Sequence, residues 1–137
     1  MSSGGDDRVQ IERLPGDPPS PFELAYSFSR VTRVAGFVVV GGTTSVDPDG
    51  VVLGGRPYEQ AIEIFRKLEH ELGRLGASLA DVVHSRVYVT DISRADEVGR
   101  AHGEVFGDTR PLMTMVEVSA LIDPRMLVEI ETVAYVG

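Results

Sequence analysis

The 137-residue chain carries 13 Lys and Arg residues against 21 Asp and Glu residues, for a formal net charge of −8. This length fits one domain with a sizeable core, and the acidic balance disfavours nucleic acid as a partner, because negative charge repels phosphate backbones. The absence of cysteine excludes disulfides and thiol chemistry, and with neither a signal-peptide pattern nor an apolar run of roughly 20 residues we expect a cytoplasmic protein without a membrane partner.

The N-terminal third of the chain is predicted to contain a tail, a loop and two or three strands. Residues 1–21 are expected to form a flexible tail followed by a proline-rich loop, so that the folded domain covers residues 22–137. Apolar and β-branched residues predict strands at 27–34 and 37–40. Residues 51–53 are an additional candidate for a short strand.

Two amphipathic helices are predicted on either side of a strand at 81–90. The first covers residues 58–75, where apolar residues recur every three or four positions. The second starts after Ser93 as N-cap, with Asp96 three residues further on, and runs to about Phe106. The residues predicted to turn inward are Tyr58, Ala61, Ile62, Phe65, Leu68, Leu72 and Leu75 on the first helix and Ala95, Val98, His102, Val105 and Phe106 on the second.

Two further strands, at 113–118 and 127–136, complete the predicted fold. The result is an α+β domain with a single mixed β-sheet and two helices packed on one face. Two helices cannot cover both faces of such a sheet, and the bare face carries apolar side chains such as Tyr88, Val133 and Tyr135. Because an exposed apolar patch of this kind usually marks an interaction site, we expect the chain to self-associate.

The last strand carries two carboxylates among apolar residues, since residues 127–135 read LVEIETVAY. Successive side chains of a strand point to opposite faces, so Glu129 and Glu131 share one face with Leu127, Val133 and Tyr135. Either this face meets water or one acid has a chemical role. Glu129, nearer the middle of the strand, is the better candidate for chemistry, and Glu131 is interpreted as an exposed residue or half of an intersubunit ion pair.

The sequence contains no recognisable metal or phosphate motif. His70, His84 and His102 fall on different predicted elements without ligand spacing, so no metal site is expected. The glycine pairs lack the spacing of a phosphate-binding loop, and no G-x-S-x-G elbow is present. His102 is either a buried core histidine or a member of a pocket. Arg30 and Arg33 either face water or contact an anionic ligand.

Five stretches of the chain occur in an order that resembles one known family. They are FVVVGGTTSVDPDG (37–50), YEQA (58–61), LGASLADVVHSRVYVTDIS (75–93), HGEVFGDTRPLMTMVEVSAL (102–121) and LVEIETVA (127–134). Together they resemble the RidA/YjgF family, also called endoribonuclease L-PSP, over about residues 22–136. The resemblance implies a chorismate-mutase-like, or RidA-like, fold and a homotrimer whose three sheets form a central barrel with clefts between the subunits.

The same resemblance implies an activity and a set of site residues. Characterised members of the family hydrolyse enamines and imines to a 2-keto acid and ammonia without a cofactor. Glu129 matches the glutamate that helps to handle water, whereas the family's carboxylate-binding arginine is replaced by Met113. Phe28 stands where the family has a tyrosine. The implied substrate-binding residues are Phe28, Gly41, Gly42, Thr43, Met113 and Thr114, with Arg30 and His102 as additional candidates.

These observations predict a small-molecule hydrolase or deaminase of altered specificity, with an intersubunit pocket and no cofactor. The thioether of Met113 cannot form the two charge-assisted hydrogen bonds of an arginine, so simple 2-imino acids are not the expected substrates. The alternative is a non-catalytic ligand-binding or chaperone-like trimer. A ribonuclease is disfavoured by the acidic charge and by the lack of paired histidines. The expected partners are a small-molecule ligand and further copies of the same chain.

Overall fold

One six-stranded sheet organises the protein in a computed structural model that describes residues 8–137. The strands are β1 (Ile11–Leu14), β2 (Val31–Val34), β3 (Phe37–Thr43), β4 (Val82–Val89), β5 (Leu112–Glu117) and β6 (Val128–Tyr135). Their order across the sheet is β1-β2-β3-β6-β4-β5. The pair β4–β5 is parallel and the other pairs are antiparallel, which confirms the predicted mixed sheet.

The helices of the described region are α1 (Pro21–Tyr26), α2 (Pro57–Arg74) and α3 (Ala95–Phe106). As predicted, the two long helices lie on one face: α2 packs on β3 and β6, and α3 packs beside α2. The inner stripe of α2 follows the expected spacing. Ile62 packs against the core as predicted and is partly buried, and Ile64, which was not predicted, is fully buried. The core residues that α2 contributes, each at most 1% exposed, are Ala61, Ile64, Phe65, Leu68 and Leu72.

Part of the segment predicted as tail and loop forms regular structure. Residues 1–7 lie outside the described residues, whereas Ile11–Leu14 pairs antiparallel with β2 and forms an edge of the sheet. The position of the domain boundary at residue 21 or 22 stays a prediction.

The strand predicted at 27–34 begins only at Val31, because the residues before it form α1. Ser20 is the N-cap of this helix, and the Glu23 carboxylate accepts the Ser20 backbone N–H at 2.7 Å. This half of a capping box satisfies one free N–H group at the start of the helix. Ser27, with a φ of 60°, ends the helix in the left-handed region.

Two further local predictions were wrong. Residues 51–53 form no strand of the sheet, and only a single bridge joins Val52 to Val46. Ser93 does not cap the second long helix, which begins at Ala95 after a 3-10 turn. The Asp91 carboxylate instead accepts the Ser93 backbone N–H at 3.0 Å and its hydroxyl at 2.6 Å, so the aspartate fixes the turn that leads into α3.

The face of the sheet opposite the long helices carries exposed apolar side chains. Phe37 and Tyr135, paired across β3 and β6, are 44% and 47% exposed, and their rings contact edge to face at 5.0 Å. On β5, Leu112 and Val116 are 70% and 42% exposed. The bare apolar face was predicted, and its burial against further copies of the chain stays a prediction.

Candidate functional site

Glu129 lies on the bare face of β6, between the buried Val128 and Ile130. Its carboxylate is half-buried, yet it makes no hydrogen bond and no ion pair within residues 8–137. Burial raises the pKa of Glu129; the positive charge of Arg30 opposes the rise, and the negative charge of Glu131 adds to it. A half-buried carboxylate with a raised pKa and no fixed partner among the described residues is suited to accept and return a proton.

Glu131, two residues along the same face, has a structural role instead. The Tyr88 hydroxyl donates to its carboxylate at 2.8 Å, and the Arg86 guanidinium approaches it at 3.4 Å. The two glutamates in the row of apolar side chains therefore differ. The Glu131 carboxylate is bound by two side chains of β4, whereas the Glu129 carboxylate has no such partner among the described residues. The predicted pairing of Glu131 with another subunit is not needed to explain its partners.

A bulge in β3 makes room for the Glu129 side chain. The pairing of β3 with β6 is regular up to Val40 and shifts before Thr43, so that Gly41 and Gly42 lie in the irregular stretch. A Cβ atom on Gly42 would lie 2.2 Å from one carboxylate oxygen of Glu129, a separation that real atoms do not adopt. Gly42 thus leaves the space in which the carboxylate approaches the backbone closely.

Thr43, at the end of the bulge, is only 2% exposed, and its hydroxyl donates to the Gly41 carbonyl at 2.8 Å. Its side chain therefore stabilises the bulge and is not presented to the bare face. Of the three residues predicted in this segment, Gly42 is the one in direct contact with the carboxylate.

Arg30 is a fixed cation beside this bulge. Its side chain is 15% exposed and its guanidinium donates to the Gly42 carbonyl. The same group lies 3.7 Å from the Glu23 carboxylate and 5.6 Å from the centre of the Phe28 ring. Phe28, which is 42% exposed, thus covers Arg30 on one side. The arrangement holds a positive charge near Glu129 without forming a direct ion pair with it.

Lys67 on α2 is a second cation near Arg30, and the sequence did not single it out. Its ammonium group donates to the Thr44 and Val46 carbonyls at 2.6 and 2.8 Å. Burial, followed by the positive charge of Arg30, lowers the pKa of Lys67 to about 8. The signal available in the sequence was its position between Ile64 and Leu68, on the buried stripe of the helix.

The remaining predicted residues lie elsewhere in the sheet. Met113 pairs with the buried Ser85 on β4, whose hydroxyl lies 2.6 Å from the Nε2 atom of His102 on α3. Met113 therefore faces the helices, and it lines a cavity together with His102. Thr114, the next residue of β5, faces the other way, and its hydroxyl lies 3.2 Å from the Nε2 atom of His84.

One chain does not bring Met113 and Glu129 together. Met113 pairs with Ser85, and Ser85 pairs with Thr132, three residues from Glu129. Two strand spacings and three residues of rise place their Cα atoms roughly 14 Å apart, on opposite faces of the sheet. The predicted site thus divides into a Glu129 group with Phe28, Arg30 and the bulge, and a Met113 group with His102.

Arg33, the other arginine considered for anion binding, has a structural role. Its guanidinium donates to the Leu75 carbonyl at 2.8 Å and to the Ala35 carbonyl at 3.1 Å, which stabilises the end of α2. Over residues 8–137, no three His, Asp or Glu side chains are grouped closely enough to hold a metal ion. No helix in the same part of the chain is long and apolar enough to cross a membrane.

Comparison with known proteins places the chain in a family. The family model described as endoribonuclease L-PSP matches residues 20–136. The chain belongs to the RidA/YjgF family. The Streptomyces coelicolor protein SCO2049 is 36% identical to it over 118 residues, which are 86% of this chain and 88% of that protein. The crystal structure of Rv2704 from Mycobacterium tuberculosis, described as a member of the YjgF/YER057c/UK114 family, superimposes with a TM-score of 0.83 at 46% identity, covering 93% of this chain and 100% of that chain.

A third relative of this RidA/YjgF chain carries a named activity. The 3-aminoacrylate deaminase RutC of Acinetobacter baylyi is 28% identical over 124 residues, which are 90% of this chain and 95% of that protein. The match to the family model includes β6 with Glu129 and β5 with Met113. Membership therefore rests on a match over residues 20–136 and not on one motif.

Proposed function

We propose that this RidA/YjgF protein is a cytoplasmic hydrolase that acts on the C=N bond of an enamine or imine, with Glu129 as the residue that activates water. The observation that carries the proposal is the state of the Glu129 carboxylate: half-buried, without a hydrogen-bonded partner in the described part of the chain, and with a raised pKa. A carboxylate that served only the fold would be expected to resemble Glu131, which has two partners.

The chemistry requires one group that can accept and return a proton. An enamine first takes up a proton on carbon and becomes an iminium ion. Glu129 removes a proton from water while the water oxygen bonds to the iminium carbon, which gives a neutral carbinolamine. Glu129 returns that proton to nitrogen, the hydroxyl group of the carbinolamine releases its proton as the C–N bond breaks, and ammonia leaves behind a carbonyl group. One water is consumed for each ammonia released, and no oxidant or cofactor is needed.

The surroundings of Glu129 favour this role. Its raised pKa makes it a stronger base than an exposed glutamate, and a general base is most effective when its pKa lies near the working pH. Arg30 keeps part of the carboxylate in the ionised form that can accept a proton, because a nearby positive charge opposes the effect of burial. The Tyr88 hydroxyl donates a hydrogen bond to Glu131, and this hydrogen bond raises the pKa of Tyr88. The Tyr88 side chain near Glu129 therefore stays neutral.

The proposed site lies between subunits of a homotrimer. The division of the candidate residues between two faces of one sheet supports this, since a pocket that contains both groups has to combine residues from two copies. The exposed apolar side chains of the bare face provide the surface that such an assembly would bury. In this arrangement Met113 contributes an apolar wall, so the favoured substrate is larger or less charged at that end than a simple 2-imino acid.

The proposal is tested by generating enamines and imines in situ with an amino-acid oxidase or dehydratase and following their loss with and without the protein. The set includes 3-aminoacrylate and imines with apolar side chains, and light scattering coupled to size exclusion gives the oligomeric state of the same sample. Acceleration by a trimer supports the proposal. A stable monomer contradicts the proposal. A trimer that accelerates no C=N hydrolysis also contradicts it and favours the non-catalytic ligand-binding trimer.

A further inference from the structure

Lys67, in the middle of α2, is the only lysine of a sequence that carries 13 Lys and Arg residues in total. Its ammonium group donates to the Thr44 and Val46 carbonyls at 2.6 and 2.8 Å, in the segment that follows the bulge of β3. Lysine side chains usually keep their charged end in water, because an ammonium group is costly to bury. The side chain of Lys67 is instead partly buried and is spent on two backbone oxygens close to Gly42.

Two cations hold the backbone around the bulge, where the pairing of β3 with β6 is interrupted. Arg30 donates to the carbonyl of Gly42, which precedes Thr43, and Lys67 donates to the carbonyl of Thr44, which follows it. Thr43 is the residue at which the pairing with β6 resumes. The position of the irregular stretch therefore depends on these side chains as well as on the ladder of the sheet.

The position of this stretch sets the room that the Glu129 carboxylate has. A Cβ atom on Gly42 would overlap with a carboxylate oxygen of Glu129, so the glycine backbone and the carboxylate are close together. Burial is the largest cause of the raised pKa of Glu129. A movement of Gly42 away from the carboxylate would admit water and bring that pKa down, because hydration favours the ionised form.

The charge of Lys67 opposes folding, which points to a role other than stability. Burial, followed by the positive charge of Arg30, lowers the pKa of Lys67 to about 8. Glu63 and Glu71 on the same helix favour the charged form and Arg66 disfavours it, without reversing the shift. Between the lowered pKa and the ordinary pKa of a lysine the unfolded chain binds more protons, so the stability contributed by Lys67 rises with the pH.

We propose that Lys67 is a positioning residue for the Glu129 site: its charged side chain holds the backbone that follows the bulge, and this backbone keeps the Glu129 carboxylate partly out of water. The role rests on the proposed function, in which Glu129 activates water. Hydrogen bonds from a charged donor are roughly twice as strong as those from a neutral one, so loss of the Lys67 proton loosens the segment. The proposed hydrolysis should then have an alkaline limit that is set from the helix side of the sheet.

The first test is a pH titration of the full-length wild-type protein by carbon-detected NMR, without any assay of turnover. Because the sequence has a single lysine, isotope-labelled lysine gives one side-chain signal, which reports the pKa of Lys67 directly. The carbonyl signal of Thr44 should titrate with it, and the carbonyl signal of Gly42, which is bound by Arg30, should follow. A Gly42 signal that stays constant while Lys67 loses its proton would overturn the proposal.

The second test uses Lys67→Met, which removes the charge and both hydrogen bonds and keeps an unbranched side chain. The variant should bring the pKa of Glu129 down toward its ordinary value, whereas the mere loss of a nearby positive charge would raise it. Arg33→Met is the matched control, because Arg33 also donates to two backbone carbonyls, of Leu75 and Ala35, at 2.8 and 3.1 Å. It should leave the pKa of Glu129 unchanged.

A raised or unchanged pKa of Glu129 in Lys67→Met, or an equal drop in Arg33→Met, would overturn the positioning role. If Lys67→Met does not fold, the wild-type titration decides.

The activity gives a third readout that separates this role from the proposed function. The kcat/KM of the wild type should fall as the pH rises through the pKa of Lys67 measured by NMR. Lys67→Met should lose about tenfold or more in kcat/KM at neutral pH and should lack that alkaline fall. Absence of hydrolysis would contradict the proposed function and leave both NMR tests in force, whereas an alkaline fall that persists in Lys67→Met would overturn the role of Lys67.

Discussion

Replacing Gly42 by alanine should move the Glu129 carboxylate without altering either charged group of the site. The added Cβ would lie 2.2 Å from one carboxylate oxygen and 3.1 Å from the Cδ atom of Glu129. Ordinary van der Waals contact begins at 3.4 Å, so the oxygen has to shift by about 1 Å or more. Backbone strain is not expected, because Gly42 does not have a positive φ. The side chain is then forced toward solvent, which should bring the pKa of Glu129 down toward its ordinary value.

Gly41→Ala is the matched control, since its nearest neighbours, the Arg30 and Ser29 carbonyl oxygens, lie 3.6 and 3.9 Å from the added Cβ. Carbon-detected NMR of the glutamate carboxyl groups, titrated with pH, measures the pKa of Glu129 in both variants. If the proposed hydrolysis holds, Gly42→Ala should also lower kcat/KM by about a hundredfold, because a displacement of about 1 Å in a catalytic group has that effect. An unchanged Glu129 pKa in Gly42→Ala, or an equal change in Gly41→Ala, would refute the reasoning.

Three other predictions concern substrate choice, stability and pH. The wild-type protein should accelerate hydrolysis of the imines of pyruvate and 2-ketobutyrate little or not at all. The reason is that Met113 cannot form the two charge-assisted hydrogen bonds of an arginine, which are together worth about 3–6 kcal/mol. Acceleration equal to that of an arginine-containing family member, measured in the in situ assay, would contradict this prediction. Met113→Arg should gain that activity if the rest of the pocket is competent, and no gain would show that the pocket differs at further positions. Glu23→Gln should lower the free energy of unfolding at pH 7 by about 1–3 kcal/mol, because the buried carboxylate accepts the Gly16 and Ser20 backbone N–H groups at 2.6 and 2.7 Å. Burial raises the pKa of Glu23, but these hydrogen bonds outweigh burial, so the pKa in the folded protein is lowered. The ionised carboxylate therefore stabilises the folded protein above the pKa of the unfolded chain, and this stabilisation is lost as the pH falls through the folded pKa. Denaturant unfolding at pH 7 and in acid should therefore show a difference between wild type and variant that disappears at low pH; a constant difference would contradict the assignment.

The elements with long periodic patterns could be predicted from the sequence, and the short ones could not. The apolar stripe of α2 and the alternation in β6 each extend over several repeats, so their type and the face of Glu129 followed directly. β1 has four residues, three of them exposed, and its pairing with β2 depends on tertiary contacts. The start of α1 has the spacing of a capping box, because Ser20 is followed three residues later by Glu23. The neighbouring prolines favoured a loop instead, so the helix was not predicted.

The residues of the candidate site were partly predictable, and their grouping was not. Alternation along β6 separates Glu129 from the core, but the contact between its carboxylate and Gly42 arises from a bulge that only the register of β3 reveals. The face of Met113 depends on its parallel pairing with Ser85, and parallel pairings between distant segments leave no local signal. Lys67 shows the same limit, because its burial depends on the carbonyl groups of a loop that folds over the helix.

The central claim is that Glu129, and not its neighbour on the same strand, has the chemical role. Glu129→Gln and Glu131→Gln make the same isosteric change two residues apart, and their kcat/KM values on one accepted C=N substrate can be compared directly. The sign of the effect on stability also separates them: the folded pKa of Glu129 is raised, so its ionised form opposes folding at neutral pH, and Glu129→Gln should be as stable as the wild type or more so at pH 7. We expect Glu129→Gln to lose about 10²–10⁴ in kcat/KM while the proposed trimer stays intact, and Glu131→Gln to keep most of its activity. Equal activity in wild type and Glu129→Gln, or a greater loss in Glu131→Gln at an unchanged oligomeric state, would contradict the claim.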